Sequence, residues 1–246
     1  MMEILKVISL LLDYPQQAVM DAGQELADAV DQCRLISPEQ RQALLALIRE
    51  LTAMDLMDAQ ERYLGLFNRG RYLSLLLFEH VHGESRDRGQ AMVDLLAQYE
   101  TDGFALQSRE LPDYIPLYLE YLATREQLVA RAGLADVQHL LALLAARLEE
   151  QGSSYAACFQ ALLQLAGSNP VEAVAQVREL VAGEPCDTSL EALDAEWEEE
   201  AVTFMAGDAS SCGLNPSADG HKAREETAVP LHWVGFDPVR QAANKL

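Results

Sequence analysis

The chain has 246 residues, a formal net charge of −21 and a hydrophobic content of 50%. This length accommodates one domain, or one domain and a tail, and the apolar content excludes a chain that is disordered throughout. The acidity disfavours binding to nucleic acid or anionic lipid, because either polyanion would be repelled. It favours a basic partner surface, although solubility alone would also explain it.

The sequence indicates a cytoplasmic protein with no stable membrane association. The largely apolar run from Leu73 to Phe78 is far too short to span a bilayer. Residues 1–6 contain no basic region followed by a long apolar stretch, so no secretory signal is expected. The four cysteines are widely spaced and form no C-x-x-C pair, so we expect neither a disulfide framework nor a zinc site.

The first part of the chain shows helical periodicity with clear start and stop signals. An apolar stripe on residues 4–12 predicts a first helix that Pro15 ends. The stretch Ser37–Gln40 predicts a helix start with an N-cap serine, a proline in the first turn and a capping-box glutamine. Asp55 is expected to cap the helix after that.

The middle of the chain is expected to hold the central helices of the fold. Residues 73–81 are apolar on nearly every side, which predicts a buried helix. The next helix is expected to end at Gly103. Asp113 is expected to cap a helix over residues 114–121.

The remaining sequence predicts more helices and then a tail. Residues 137–148 and 155–163 follow the 3,4-spacing of amphipathic helices, and Thr188–Glu191 has the pattern of a capping box. The prediction is an all-α fold, a single bundle of roughly ten helices over residues 1–206. A flexible, acidic-to-polar tail is expected over 207–246.

The motifs in the chain give little support for catalysis or a resident cofactor. His80 and His82, flanked by Glu79 and Glu84, are the best candidate metal cluster, but helical residues two apart point about 200° away from each other. The stretch 83–87 resembles the G-x-S-x-G nucleophile elbow and fails at its last position. Walker A and dinucleotide fingerprints are missing from the sequence. We therefore predict a non-enzymatic protein without metal or cofactor.

Charged residues cluster around the central segment. Two interpretations remain open: an internal ion-pair network that joins two helices through a turn at Gly83, or a polar rim beside an apolar groove. Burying a paired network requires desolvation, so it is seldom maintained for stability alone. The cluster comprises Arg69, Arg71, Glu79, Glu84, Arg86, Asp87 and Arg88.

The same segment closely resembles the hallmark of the NarJ family, the delta-subunit chaperones of respiratory nitrate reductase. Residues 75–92 read Leu-Leu-Leu-Phe-Glu-His-Val-His-Gly-Glu-Ser-Arg-Asp-Arg-Gly-Gln-Ala-Met. Residues 11–15, 109–122 and 193–200 agree with the family too, and the resemblance spans residues 2–205. Asn68 stands where the family pattern has an aspartate, and the sequence beyond Gly207 is divergent.

The resemblance implies an all-α fold like that of the TorD and DmsD redox-enzyme chaperones. It implies that the chain binds the apo catalytic (alpha) subunit of nitrate reductase, notably its N-terminal segment. The chain would keep that subunit soluble while iron–sulfur and molybdenum cofactors are installed, and would then release it before membrane attachment. Molybdenum cofactor biosynthesis proteins are implied as further partners.

An amphipathic peptide helix that lies in a groove between bundle helices gives a compatible mechanism. We expect residues 73–92 and the helix from Asp113 to Tyr121 to wall this groove, because 3,4-spacing places three tyrosines on one face. Ordinary core packing is the competing interpretation of these tyrosines. The expected partner-binding residues are Glu79, His80, His82, Glu84, Arg86, Asp87, Arg88, Asp113, Tyr114, Tyr118 and Tyr121.

Three other functions remain as alternatives. A regulatory adaptor would recognise a mature helical partner. A metalloprotein would be centred on His80 and His82. A direct carrier of molybdenum cofactor would need to bind the phosphates of the pterin dinucleotide, which a strongly negative chain disfavours.

Overall fold

A computed structural model describes residues 2–82, 86–106 and 110–182, and these ranges contain twelve α-helices. The first six are α1 (Glu3–Leu12), α2 (Gln17–Asp21), α3 (Gly23–Gln32), α4 (Pro38–Thr52), α5 (Leu56–Phe67) and α6 (Leu77–His82). The others are α7 (Arg86–Thr101), α8 (Ile115–Ala123), α9 (Gln127–Asp136), α10 (Gln138–Glu150), α11 (Ala156–Ala166) and α12 (Pro170–Ala182). Within these ranges β-pairing is limited to one isolated antiparallel bridge between Leu76 and Tyr114. The predicted all-α fold is confirmed.

One hydrophobic core joins the helices. α1 packs along α8, α10 packs along α11 and α12, and α3 packs along α4. The apolar stripe predicted on residues 4–12 faces this core, where Ile4, Ile8 and Leu12 are at most 3% exposed. Burial of each Leu or Ile side chain stabilises the fold by about 1.5–3 kcal/mol, so this packing is the main source of stability.

The predicted helix starts at Ser37 and Asp55 are confirmed, with one correction. The Ser37 hydroxyl accepts a hydrogen bond from the Gln40 N–H at 3.2 Å, and Asp55 accepts one from the Met57 N–H at 2.9 Å. The prediction that Gln40 closes a capping box is wrong. Its buried side-chain amide donates instead to the Ala157 carbonyl of α11 at 2.6 Å, because helix packing offers it that partner.

The prediction of a buried helix over residues 73–81 is wrong for its first half. The helix begins only at Leu77. Before it, Leu73 is buried in a turn, and Leu75 is buried in the extended segment that follows, where its carbonyl accepts from the Ile115 N–H at 2.8 Å. A short apolar run fits a buried extended segment as well as a buried helix, so periodicity could not separate them. At the other end, Val81 is 54% exposed.

The cap predicted at Asp113 is also wrong, since its carboxylate serves a different helix. Asp113 Oδ2 accepts from the Phe78 N–H at 3.1 Å, near the start of α6. Its own helix, α8, offers no free donor in the matching turn. The Ile115 N–H is bonded to Leu75, and Pro116 has no N–H.

The second half of the described chain follows its predicted periodicity. The stripes on residues 137–148 and 155–163 become the buried faces of α10 and α11. The helix expected after Thr188, the domain boundary near residue 206 and the tail over 207–246 lie outside the described residues. Among those described, no single helix is long and apolar enough to cross a membrane; α9 and α10, bent by 66°, meet that test only as a pair.

Candidate functional site

A cleft of about 560 Å³ opens between α5, the start of α6 and the loop before α8. Tyr63 and Phe67 of α5 form part of its buried floor. Its rim carries apolar side chains that reach solvent, since Tyr14, Leu64 and Leu111 are 39%, 40% and 41% exposed. The cleft therefore offers apolar surface to a partner while its walls stay anchored in the core.

Two tyrosine hydroxyls lie side by side in the cleft wall. The Tyr114 hydroxyl donates to Asp13 Oδ1 at 3.0 Å, the Tyr63 hydroxyl donates to the Leu12 carbonyl at 3.0 Å, and the two oxygens are 3.1 Å apart. Burial raises the pKa of Tyr63 to about 12 and raises the pKa of Tyr114 further. Both side chains are therefore neutral, and they fix the end of α1 against α5 and α8.

Carboxylates give the cleft a negative character. Glu79 accepts a hydrogen bond from the Ser74 hydroxyl and lies 3.7 Å from Arg71 Nε. Asp13 and Glu110 also line the cleft. An apolar surface bordered by carboxylates suits a partner segment that has an apolar face and cationic side chains.

Asp113 lies fully buried beneath this surface. Burial raises the pKa of its carboxyl, against the opposing effects of the Phe78 N–H and the Arg88 charge. In the part of the chain that the structure describes, Asp113 Oδ1 accepts no hydrogen bond and Arg88 Nε donates none. Asp113 holds the start of α6 in place, so it positions the cleft wall and is not exposed to a partner.

The other predicted partner-binding residues near α6 lie in different environments. The His80 ring Nε2 lies 2.8 Å from the Ser74 carbonyl oxygen, which ties the ring to the backbone before α6. Asp87 is exposed on α7, and Arg88 is half-buried. In the described ranges no group of three or more His, Cys, Asp or Glu side chains is arranged to hold a metal ion. The remaining predicted residues, Glu84 and the side chains of His82 and Arg86, lie outside what the structure describes.

The three tyrosines expected to form one wall have separate roles. Tyr114 lines the cleft. The Tyr118 hydroxyl donates to the Gly133 carbonyl at 3.0 Å, which joins α8 to α9. Tyr121 is 2% exposed and donates to Asp102 after α7, with the Arg125 guanidinium 5.1 Å from its ring centre. The structure therefore brings Glu79 and Tyr114 together in the cleft and places Tyr118 and Tyr121 in packing contacts elsewhere.

Sequence reasoning missed the contribution of α5 and of the end of α1. Asp13 and Tyr14 follow α1, and Leu64 lies on the outer face of α5. The signal for Leu64 was available, because it sits one position out of phase with the buried stripe that contains Tyr63 and Phe67. An apolar side chain outside the core stripe of an amphipathic helix indicates a contact surface.

A second cavity of about 410 Å³ continues along the outer face of α5. It shares Tyr14, Leu64 and Asn68 with the first cavity. It extends to Glu61 and to Met57, which is 76% exposed. The two cavities thus form one continuous surface, called here the α5 cleft.

An all-helical bundle with such a cleft has the form of a helical binding protein, and comparisons with known proteins identify which kind. The family model described as nitrate reductase delta subunit matches residues 33–161. The chain belongs to this family, which confirms the resemblance found in residues 75–92.

Named relatives agree with this assignment. The chain is 50% identical over 232 residues to the nitrate reductase molybdenum cofactor assembly chaperone NarJ of Escherichia coli K12, covering 94% of this chain and 96% of that protein. It is 46% identical over 231 residues to the probable chaperone NarW of the same strain, with the same coverage. It is 32% identical over 157 residues to a probable NarJ of Bacillus subtilis 168, covering 63% and 84%. These relatives are named as assembly chaperones, so the chain is not an enzyme.

Proposed function

We propose that this chain is a molybdenum cofactor assembly chaperone for a nitrate reductase. The observation that carries the proposal is 50% identity to a chaperone of that name over 94% of the chain. The α5 cleft supports it, because exposed apolar side chains beside carboxylates suit the temporary binding of a partner segment.

In this proposal the bound segment is the N-terminal part of the apo catalytic subunit. The chain holds that subunit in the cytoplasm while its iron–sulfur and molybdenum cofactors are inserted, and releases it before membrane attachment. Proteins of molybdenum cofactor biosynthesis act on the same complex. The negative net charge of −21 supports attraction of a basic segment.

The cleft is tested by titrating the chain into a fluorescently labelled peptide from the N-terminus of the catalytic subunit. Leu64→Ser removes an apolar side chain from the shared part of the two cavities, 40% exposed in the free chain. We expect the dissociation constant to rise about tenfold, equal to about 1.4 kcal/mol. The readout is fluorescence anisotropy.

Leu180→Ser is the matched control, because Leu180 is 65% exposed on α12 and lies outside both cavities. It should leave the affinity unchanged. Equal affinities of the Leu64→Ser variant and the unmodified chain would contradict binding in the α5 cleft. Tyr118→Ala is a poor substitute, since it removes the contact between α8 and α9.

A further inference from the structure

The segment between α5 and α6 contains a turn that leads into one wall of the α5 cleft. The Ser74 N–H donates to the Arg71 carbonyl at 3.2 Å and closes a turn over residues 71–74, called here the Tyr72 turn. Gly70 and residues 74–76, on either side of Tyr72 in the sequence, line the first cavity. The position of the Tyr72 turn therefore determines where this wall of the cleft lies.

Two residues in the last turn of α10 hold Tyr72, and both lie outside the two cavities. Arg147 Nη1 donates to the Tyr72 carbonyl at 2.6 Å, and the guanidinium carbon of Arg147 lies 4.4 Å from the centre of the Tyr72 ring. The Tyr72 hydroxyl donates to Glu150 Oε2 at 3.2 Å. Because α10 packs along α11 and α12 in the core, these contacts tie the turn to a fixed helix.

The chemistry of Arg147 suits placement of the turn more than stability. Its side chain is buried, and a buried cation requires desolvation that an apolar residue of similar volume would avoid. An apolar residue could not donate to a carbonyl and stack on a ring at the same time, whereas a planar guanidinium does both. The contact is therefore better explained by the geometry that it imposes on Tyr72.

Apolar anchoring of the same segment does not fix this geometry. Leu73 and Leu75 are buried on either side of Ser74. Hydrophobic contacts are not directional, so these two side chains hold the segment in the core without setting the orientation of its backbone. The hydrogen bond from Arg147 is directional and does set it.

Ser74 connects the Tyr72 turn to the polar groups of the cleft. Its hydroxyl donates to Glu79 and accepts from the Leu76 N–H at 3.3 Å, and its carbonyl oxygen lies 2.8 Å from His80 Nε2. Glu79 is one of the carboxylates that line the cleft. A shift of Tyr72 would therefore move Ser74 and, with it, the carboxylate of Glu79.

We propose that Arg147 is a positioning residue for the α5 cleft. From α10 it sets the place of the Tyr72 turn and, through Ser74, the place of the Glu79 carboxylate. This inference rests on the proposed function, because affinity for a partner segment is one of its two readouts. It gives α10 a role in a cleft that α10 does not line.

The test uses the full chain with Arg147→Met, which keeps much of the side-chain length and removes its charge and donors. Hydrogen exchange, followed by mass spectrometry, should become about threefold faster in residues 71–79 and stay unchanged in α11. The dissociation constant of the labelled N-terminal peptide should rise about fivefold.

Arg178→Met is the matched control, because Arg178 also contacts α10, through Glu149 at 3.0 Å, and lies outside both cavities. It should change neither hydrogen exchange in residues 71–79 nor peptide affinity.

Arg147→Lys separates positioning from a purely structural role. Lysine keeps a cation for the Tyr72 ring and a donor for its carbonyl, but it lacks the planar geometry of arginine. Its exchange rate and affinity should therefore lie between those of the unmodified chain and Arg147→Met. If Arg147→Met does not fold, Arg147→Lys against the unmodified chain provides both comparisons.

Three results would overturn the inference: unchanged exchange in residues 71–79, exchange that is faster by the same factor in α11, or normal peptide binding by Arg147→Met. If the unmodified chain binds no peptide, the peptide part of the proposed function fails. Hydrogen exchange alone then decides whether Arg147 positions the Tyr72 turn.

Discussion

At the scale of single residues, Asp113 shows how a carboxylate can shape a binding surface without reaching it. It is fully buried, and its Oδ2 and its carbonyl oxygen accept from the Phe78 and Leu77 N–H groups at 3.1 Å and 2.9 Å. Donors near the start of a helix are normally satisfied by the residue that precedes it. Here a segment from 35 residues away does so, and this fixes the wall of the cleft.

The buried carboxyl makes stability depend on pH. Burial raises the pKa of Asp113 above its usual 3.8, so the folded chain binds this proton more tightly than the unfolded chain. The associated stability is fully present below the unfolded pKa and is lost as pH rises through the raised folded pKa. Asp113→Asn keeps an oxygen for the Phe78 N–H and removes this titration. As pH rises above about 4, we therefore expect the free energy of unfolding of the variant to increase relative to that of the unmodified chain.

Urea unfolding of both chains between pH 4 and pH 7 measures this difference. Parallel pH profiles for the two chains would contradict the role given to Asp113. Desolvation also raises the pKa of Glu120, and its titration is common to both chains, so it cancels in the difference.

Residues also differ in how well the sequence predicts their hydrogen-bond partners. Ser37 and Asp55 cap donors two or three positions away, so local spacing was enough. Gln40 and Asp113 bond to groups 117 and 35 residues away, and local spacing pointed to the wrong partner for both. The same holds for the cleft, where Glu79 and Tyr114 were predicted but Asp13 and Leu64 were not.

At the scale of elements, the helices that were predicted well are those with one buried stripe. α1, α10 and α11 carry their burial signal in their own sequence, at 3,4-spacing. Residues 73–76 do not, because Leu73 lies in a turn and the extended conformation of Leu75 and Leu76 depends on pairing with the chain around Tyr114. The sequence therefore indicated a helix where tertiary contacts impose an extended segment.

The end of α11 gives a prediction at this scale. Gly167 caps the helix with a φ of +98°, a left-handed conformation that disfavours any side chain. A Cβ there would also lie 2.1 Å from the Arg131 guanidinium, which donates to the Ala166 carbonyl. Gly167→Ala should lower the free energy of unfolding by about 1–2 kcal/mol.

Urea unfolding at one pH tests this change. Gly89→Ala is the control of opposite sign, since alanine in the interior of α7 should raise the free energy of unfolding by about 0.5–1 kcal/mol. A Gly167→Ala variant as stable as the unmodified chain would show that the α11 cap carries no strain.

At the scale of the whole molecule, the chain combines a large buried core with an acidic surface. The core anchors α1, α5 and α8 around the α5 cleft, so the apolar rim can stay exposed without loss of the fold. The net charge of −21 resists self-association of that rim and attracts basic segments. Both properties suit a protein that holds an incomplete partner and then lets it go.

A chaperone and a regulatory adaptor would use the same cleft and differ in which form of the partner they bind. A chaperone distinguishes the apo catalytic subunit from the cofactor-loaded enzyme. An adaptor binds the finished enzyme at least as strongly. The state of the captured partner therefore separates the two functions more directly than any affinity for a peptide.

The most direct measurement is capture of the catalytic subunit by the tagged chain from cells that are blocked in molybdenum cofactor synthesis. The proposed function predicts strong enrichment of the apo nitrate reductase catalytic subunit, reduced by Leu64→Ser and lost when cofactor synthesis is restored. Equal capture of the apo and cofactor-loaded forms, or no capture of either, would contradict it.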